Sequence, residues 1–166
     1  MDNAGCQIVR VRTAAELAAA IALFHAYAAS LDVDLAYQDF EAEMAAMPGK
    51  YAPPDGELLL ALGGDGRELG CVALRPMDNP DCCEMKRLYV LPEARGREVG
   101  LQLVGALLAA AERIGYREMK LDTLPSMVGA QALYAKLGFE VIRPYYETPV
   151  AGTVFMQRRI VSVDRG

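Results

Sequence analysis

Apolar and polar positions alternate over residues 7–11 (QIVRV), the period of a half-buried strand. The period then changes. Thr13-x-x-Glu16 is a capping box, in which hydroxyl and carboxylate each satisfy a backbone donor left free where a helix begins. The Ala-rich run behind it predicts a helix to about Leu31, and a second, more polar helix is predicted over residues 38–47, before Pro48-Gly49. The stretch ELLLALGGDGRELGCVALRP reads as two strands around a Gly-Gly-Asp-Gly turn, and CEMKRLYV as the next strand. Val99, Leu103, Val104, Leu107, Leu108, Ala111 and Ile114 recur at helical spacing until Gly115. EMKLDTL predicts another strand. Ala130, Leu133, Tyr134 and Leu137 form one face of a short helix that Gly138 and Phe139 close. FEVI and VFMQRRI supply the last strands, around the Pro/Tyr-rich RPYYETPVAG. The predicted order is β-α-α-β-β-β-α-β-α-β-β, a mixed α/β pattern with one strand–helix–strand crossover at its centre. No linker divides the chain, so residues 1–166 are expected to form one domain.

Composition narrows the function classes. The chain is 53% hydrophobic with a mean hydropathy of +0.13. It carries 17 Lys+Arg against 22 Asp+Glu, a net charge of −5, and no basic tract, which argues against nucleic acid or an anionic membrane as partner. The start MDNAGCQIV lacks a basic region followed by an apolar one, so the expected compartment is the cytoplasm. The stretch AAELAAAIALFHAYAASL contains Glu16 and His25 and suits a buried helix better than a membrane span. Cys6, Cys71, Cys82 and Cys83 show neither metal-site spacing nor disulfide density and read as reduced thiols. With a single histidine and no nucleophile elbow, neither a histidine-rich metal site nor a Ser-His-Asp hydrolase is expected.

The chemistry concentrates where a strand runs into the third helix, at RLYVLPEARGREVG. A helix N-terminus offers unpaired amides and partial positive charge, Gly96 permits close backbone approach, and Arg95 and Arg97 add charge, a combination suited to phosphate or pyrophosphate. Solvated arginines on an ordinary glycine turn are the alternative. Neither GxxxxGK[ST] nor GxGxxG is present, which disfavours a nucleoside triphosphatase or a Rossmann dehydrogenase.

LYVLPEARGREVGLQLV followed by LDTLPSMVGAQALYAKLGFE resembles the GCN5-related N-acetyltransferases. Arg95, Gly96 and Gly100 match their acetyl-CoA motif, and Leu133, Tyr134, Lys136, Leu137, Gly138 and Phe139 match a later helix end. The sequence departs from the pattern at Glu98, where the family usually has glycine, and at Met127, where it commonly has asparagine. The resemblance implies the GNAT fold: a mixed, mostly antiparallel twisted sheet of about six to seven strands, helices on both faces and a central β-α-β crossover. It implies an acetyl-CoA-dependent N-acetyltransferase, without metal, acting on a primary amine of a small molecule or peptide. A CoA-binding sensor without turnover is the alternative. Pairing into a homodimer through the C-terminal strands is common in the family.

Carried over by residue, Leu88, Tyr89 and Val90 would line up the pantetheine, and the amides of Arg95, Gly96, Arg97, Glu98, Val99, Gly100 and Leu101 would hold the pyrophosphate. Glu98 is expected in the helix's first turn with its side chain outward. Tyr134 matches the tyrosine that donates to the departing thiolate; a core tyrosine bonded to a carbonyl is the other reading. Glu84 stands where some members carry a base, or else pairs with Lys86 or Arg87. Asp32, Asp34, Tyr37, Asp39, Tyr145, Tyr146 and Glu147 fall in segments that border the acceptor in the family. They suit a cationic amine, or form a solvated acidic face.

Overall fold

The computed structural model describes residues 6–160. Its elements are β1 (Gln7–Arg10), α1 (Ala14–Ser30), α2 (Phe40–Ala45), β2 (Glu57–Leu62), β3 (Glu68–Pro76), β4 (Cys82–Val90), α3 (Val99–Ile114), β5 (Glu118–Thr123), α4 (Val128–Lys136), β6 (Glu140–Ile142) and β7 (Val154–Arg159). This is the predicted order. The strands make one mixed sheet, β1-β2-β3-β4-β5-β7-β6. β4 and β5 run parallel with α3 as their crossover, and the other described neighbours are antiparallel.

Both faces of the sheet are covered, which is why β2 and β3 read as nearly unbroken apolar runs. Alternation sorts their side chains. Leu59, Ala61, Val72 and Leu74 pack with Leu103, Val104 and Leu107 of α3, while Leu58, Leu60, Cys71 and Ala73 pack with Phe24 of α1 and Phe40 and Met44 of α2. The capping box opens α1: the Glu16 amide donates to Thr13 Oγ1 at 3.1 Å, and the Thr13 amide to Glu16 Oε1 at 3.0 Å. Gly138, at φ 95°, ends α4 and lets the Phe139 amide donate back to the Tyr134 carbonyl at 2.9 Å.

The second helix differs from its predicted range of 38–47. A 3₁₀ turn at Leu35–Gln38 comes first, then Asp39 in the left-handed region (φ 57°), then α2. Asp34 starts that turn early by accepting the Ala36 amide at 2.9 Å, and aspartate tolerates the left-handed conformation better than most residues. The break sends Gln38 toward β4, whose Arg87 donates to Gln38 Oε1 at 2.8 Å.

One irregularity creates the working space. Cys71 faces Tyr89 and Ala73 faces Lys86, so Arg87 and Leu88 share the place opposite Val72, with Arg87 at φ 63°. Such a bulge bends and twists its strand. β4 pairs with β5 only from Cys82–Glu118 to Glu84–Lys120. Beyond Glu84 the two strands part, and β5 keeps β7 as partner along its length.

Candidate active site

A cavity of about 640 Å³ fills the gap between the parting strands. Its walls are the free edge of β4, the end of β5, the start of α3 and one face of α4; Tyr27, Tyr37 and Gln38 border it from α1 and the 3₁₀ turn. The Leu91 amide donates to Leu69 on the β3 side at 2.9 Å. By alternation, the main-chain groups of Val90 face the cavity. Arg95 Nε reaches the Val90 carbonyl at 2.9 Å, with its guanidinium 5.8 Å from the centre of the Tyr89 ring.

The α3 start contrasts with that of α1. No side chain caps it, and the first helical bond runs from the Gln102 amide to the Glu98 carbonyl, leaving the Val99, Gly100 and Leu101 amides without helical partners. At Gly100 a Cβ would stand 3.3 Å from Leu133 Cδ2, so a larger residue would press on that side chain of α4. Glu98 is not in the first turn, as the sequence pattern places it, but one residue earlier as the N-cap, at φ 63° and ψ 20°. That left-handed conformation explains the family's glycine and strains a glutamate by about 1–2 kcal/mol. Glu98→Gly should therefore raise stability by up to about 1 kcal/mol, glycine's greater unfolded freedom offsetting part of the relief. Thermal melts measure the gain, and calorimetry with acetyl-CoA should find affinity kept or improved.

Leu88, Tyr89, Val90, Arg95, Gly96, Glu98, Val99, Gly100, Leu101 and Tyr134 all line the cavity. Arg97 is exposed and does not line it. Tyr134 is 6% exposed, and among the described residues its hydroxyl has no hydrogen-bond partner. Burial raises its pKa, with Tyr27 and Asp122 adding to the shift, so the phenol keeps its proton at neutral pH. Burial likewise pushes Tyr27 up to about 12.

Glu84 is buried but lies off the cavity wall. It pairs with neither Lys86 nor Arg87: Arg75 Nε donates to its Oε1 at 3.0 Å, and the Tyr145 hydroxyl to its Oε2 at 2.8 Å. Of the acceptor candidates only Tyr37 lines the cavity; Asp32, Asp34, Asp39 and Glu147 do not. Tyr145 and Tyr146 pack edge-on against Phe155, with ring centres 5.0 and 5.2 Å away, and the Tyr146 hydroxyl donates to Asp122.

The structure adds Lys86 and Asp122 to the wall, with Lys86 Nζ 3.6 Å from Asp122 Oδ1. In the sequence Asp122 continues the polar positions Glu118 and Lys120 of an alternating strand, the signature of a solvent face. Only the fold back of Tyr146 and the parting of β4 make it a site residue. Arg87 was equally hidden: it is buried, fork-bonded to Glu43 at 3.0 and 3.3 Å and to Gln38 at 2.8 Å, with its guanidinium over Phe40.

Residues 22–139 match the model of the acetyltransferase (GNAT) family. The chain belongs to this family. It is similar to an uncharacterized N-acetyltransferase of Schizosaccharomyces pombe, 42% identical over 135 residues that cover 81% of this chain and 83% of the relative. A GNAT acetyltransferase of Staphylococcus aureus superposes with a TM-score of 0.74 at 19% identity, covering 94% of this chain and 99% of that one. A phosphinothricin acetyltransferase of Sinorhizobium meliloti, solved with AcCoA, gives 0.68 at 20% identity over 93% and 88% of the two chains. These neighbours share the fold, and family membership makes this GNAT protein an acyltransferase. Among the described residues no cluster of three His, Cys, Asp or Glu could hold a metal, and no helix is long and apolar enough to cross a membrane.

Proposed function

We propose that this GNAT protein transfers an acetyl group from acetyl-CoA to a primary amine of a small molecule or peptide. One observation carries the reading: the single parallel strand pair among the described residues opens into a cavity that the uncapped amides of α3 and the unpaired edge of β4 both face. The residues present fit acetyl-CoA. The amides of Val99, Gly100 and Leu101 suit its diphosphate, and the main chain of Leu88 to Val90 suits the amide groups of its pantetheine arm. When bound, acetyl-CoA supplies an acyl carbon activated as a thioester.

The protein's own groups handle the protons. Asp122 attracts the acceptor's ammonium and takes a proton from its nitrogen, so that the lone pair is free to attack. The Tyr134 hydroxyl donates toward the departing sulfur from its buried place on α4. Glu84, enclosed by Arg75 and Tyr145, holds the tyrosine pair that backs Asp122 and acts as a positioning group. The same reading treats the whole chain as one catalytic domain working in the cytoplasm, with edge strand β6 as the place for a second copy in a homodimer.

Calorimetry with acetyl-CoA, CoA and NAD, joined to a thiol-release assay across an amine panel, tests the proposal. Acetyl-CoA should bind and turn over; preference for NAD would refute it, and CoA binding without turnover would favour a sensor, the reading that Glu98 beside the anion cradle keeps alive. Tyr134→Phe should lower kcat roughly 100-fold while acetyl-CoA affinity changes little. Equal losses in both would make the tyrosine structural.

A further inference from the structure

Two buried cations, Lys86 and Arg87, line the cavity, and the half-buried Arg75 stands beside Glu84 outside it; both arginines are tightly matched. Arg75 holds Glu84 at 3.0 Å, and Arg87 holds Glu43 at 3.0 Å and Gln38 at 2.8 Å. Lys86 is different. It lines the cavity with its side chain 5% exposed, yet among the described residues its acceptors are Gln38 Oε1 at 3.5 Å and Asp122 Oδ1 at 3.6 Å. Gln38 Oε1 is shared and takes the shorter bond from Arg87, while the other Asp122 oxygen accepts the Tyr146 hydroxyl. An ammonium has three donors, and contacts this long satisfy none of them well. The one ion pair, to Asp122, is long for so buried a cation, and a second anion within hydrogen-bonding distance would hold it better.

We infer that the acceptor carries a carboxylate next to its amine, as an α-amino acid does, with Lys86 recognising the carboxylate and Asp122 the ammonium. The inference rests on the proposed acetyl transfer and names its substrate class. The two charges of an α-amino acid are separated by one carbon, matching the close spacing of Lys86 and Asp122. A zwitterion laid head-to-tail against the pair gives each charge a near partner. A polyamine would set a second ammonium against Lys86, and the neighbouring Arg75–Glu84 and Arg87–Glu43 pairs have no spare carboxylate to receive it.

The test offers each common L-amino acid beside the amine left by removing its α-carboxylate. Thiol release is measured for the wild type, Lys86→Met and Lys86→Gln, with acetyl-CoA calorimetry and thermal melts on each. In the wild type at least one amino acid should exceed its decarboxylated partner in kcat/KM by roughly 100-fold or more. In both variants that ratio should fall by at least roughly 30-fold, with acetyl-CoA affinity and folding retained. Wild-type turnover of the bare amines at rates equal to the amino acids overturns the inference and leaves acetyl transfer standing. A ratio unmoved in folded Lys86 variants overturns it as well. No acetyl-CoA binding by the wild type would overturn the parent reading and this one together.

Discussion

Asp122→Asn should lower kcat/KM for a primary amine roughly 1,000-fold at pH 7. A primary ammonium with a pKa of about 10.4 is neutral in only about one molecule in 2,500 at that pH. An acceptor bound without a base must draw on that fraction. Asparagine keeps the shape of Asp122 but neither attracts the ammonium nor takes its proton. The sign of the pH response follows. As pH rises from 7 toward the amine's own pKa, the neutral fraction grows tenfold per unit, so the variant's kcat/KM should climb about tenfold per unit, more steeply than the wild type's. Initial rates from pH 7 to 9 check this. A loss under about tenfold, or parallel pH profiles, would take Asp122 out of proton transfer. Because Asp122 also accepts from Tyr146 and lies beside Lys86, a melt of the variant separates lost chemistry from lost structure.

Glu43→Ala should cost about 3–5 kcal/mol, because it strands a guanidinium that is almost wholly buried. Arg87 would keep Gln38 and the face of Phe40, and the Tyr51 hydroxyl, 2.8 Å from Glu43, would lose its partner too. For a chain of this size the midpoint should fall by roughly 10 °C. Replacing both charges, as Arg87→Met with Glu43→Leu, should recover most of the loss, since a packed apolar pair escapes the desolvation penalty. A double-mutant cycle in denaturant measures the coupling. Failure of the double variant to regain stability would mean that Arg87 matters through the bulge itself. The cluster joins α2 and the 3₁₀ turn to β4, so partly folded single variants should show a raised KM for the acceptor and little change in acetyl-CoA affinity.

Short-range signals made most of the scaffold legible. Thr13-x-x-Glu16 marked the start of α1, the apolar repeat from Val99 marked α3, and Gly138-Phe139 marked the end of α4, because each is a contact between residues a turn apart. Asp39 defeated the same approach: an aspartate in the left-handed region looks like any polar helix residue until its conformation is seen. The end of the cavity at the start of α3 was legible for a related reason, since the glycines and the bare helix start are contiguous in the chain. The end bordered by Lys86 and Asp122 was not. Lys86, Asp122, Arg87 and Gln38 come from three separate elements, and Tyr146 reaches Asp122 across 24 positions.

The sequence by itself determined the order of strands and helices, the family and the loop that opens α3, all set by neighbours within a few residues. Tertiary structure alone decided which charges are compensated. Arg75 and Arg87 hold carboxylates at 3.0 Å, Lys86 holds Asp122 only at 3.6 Å, and Glu84 bonds Arg75 and Tyr145 rather than Lys86 or Arg87. The reason is physical: pairing of buried charge depends on distances of a few ångströms between distant segments, and those distances follow from where a bulge parts two parallel strands.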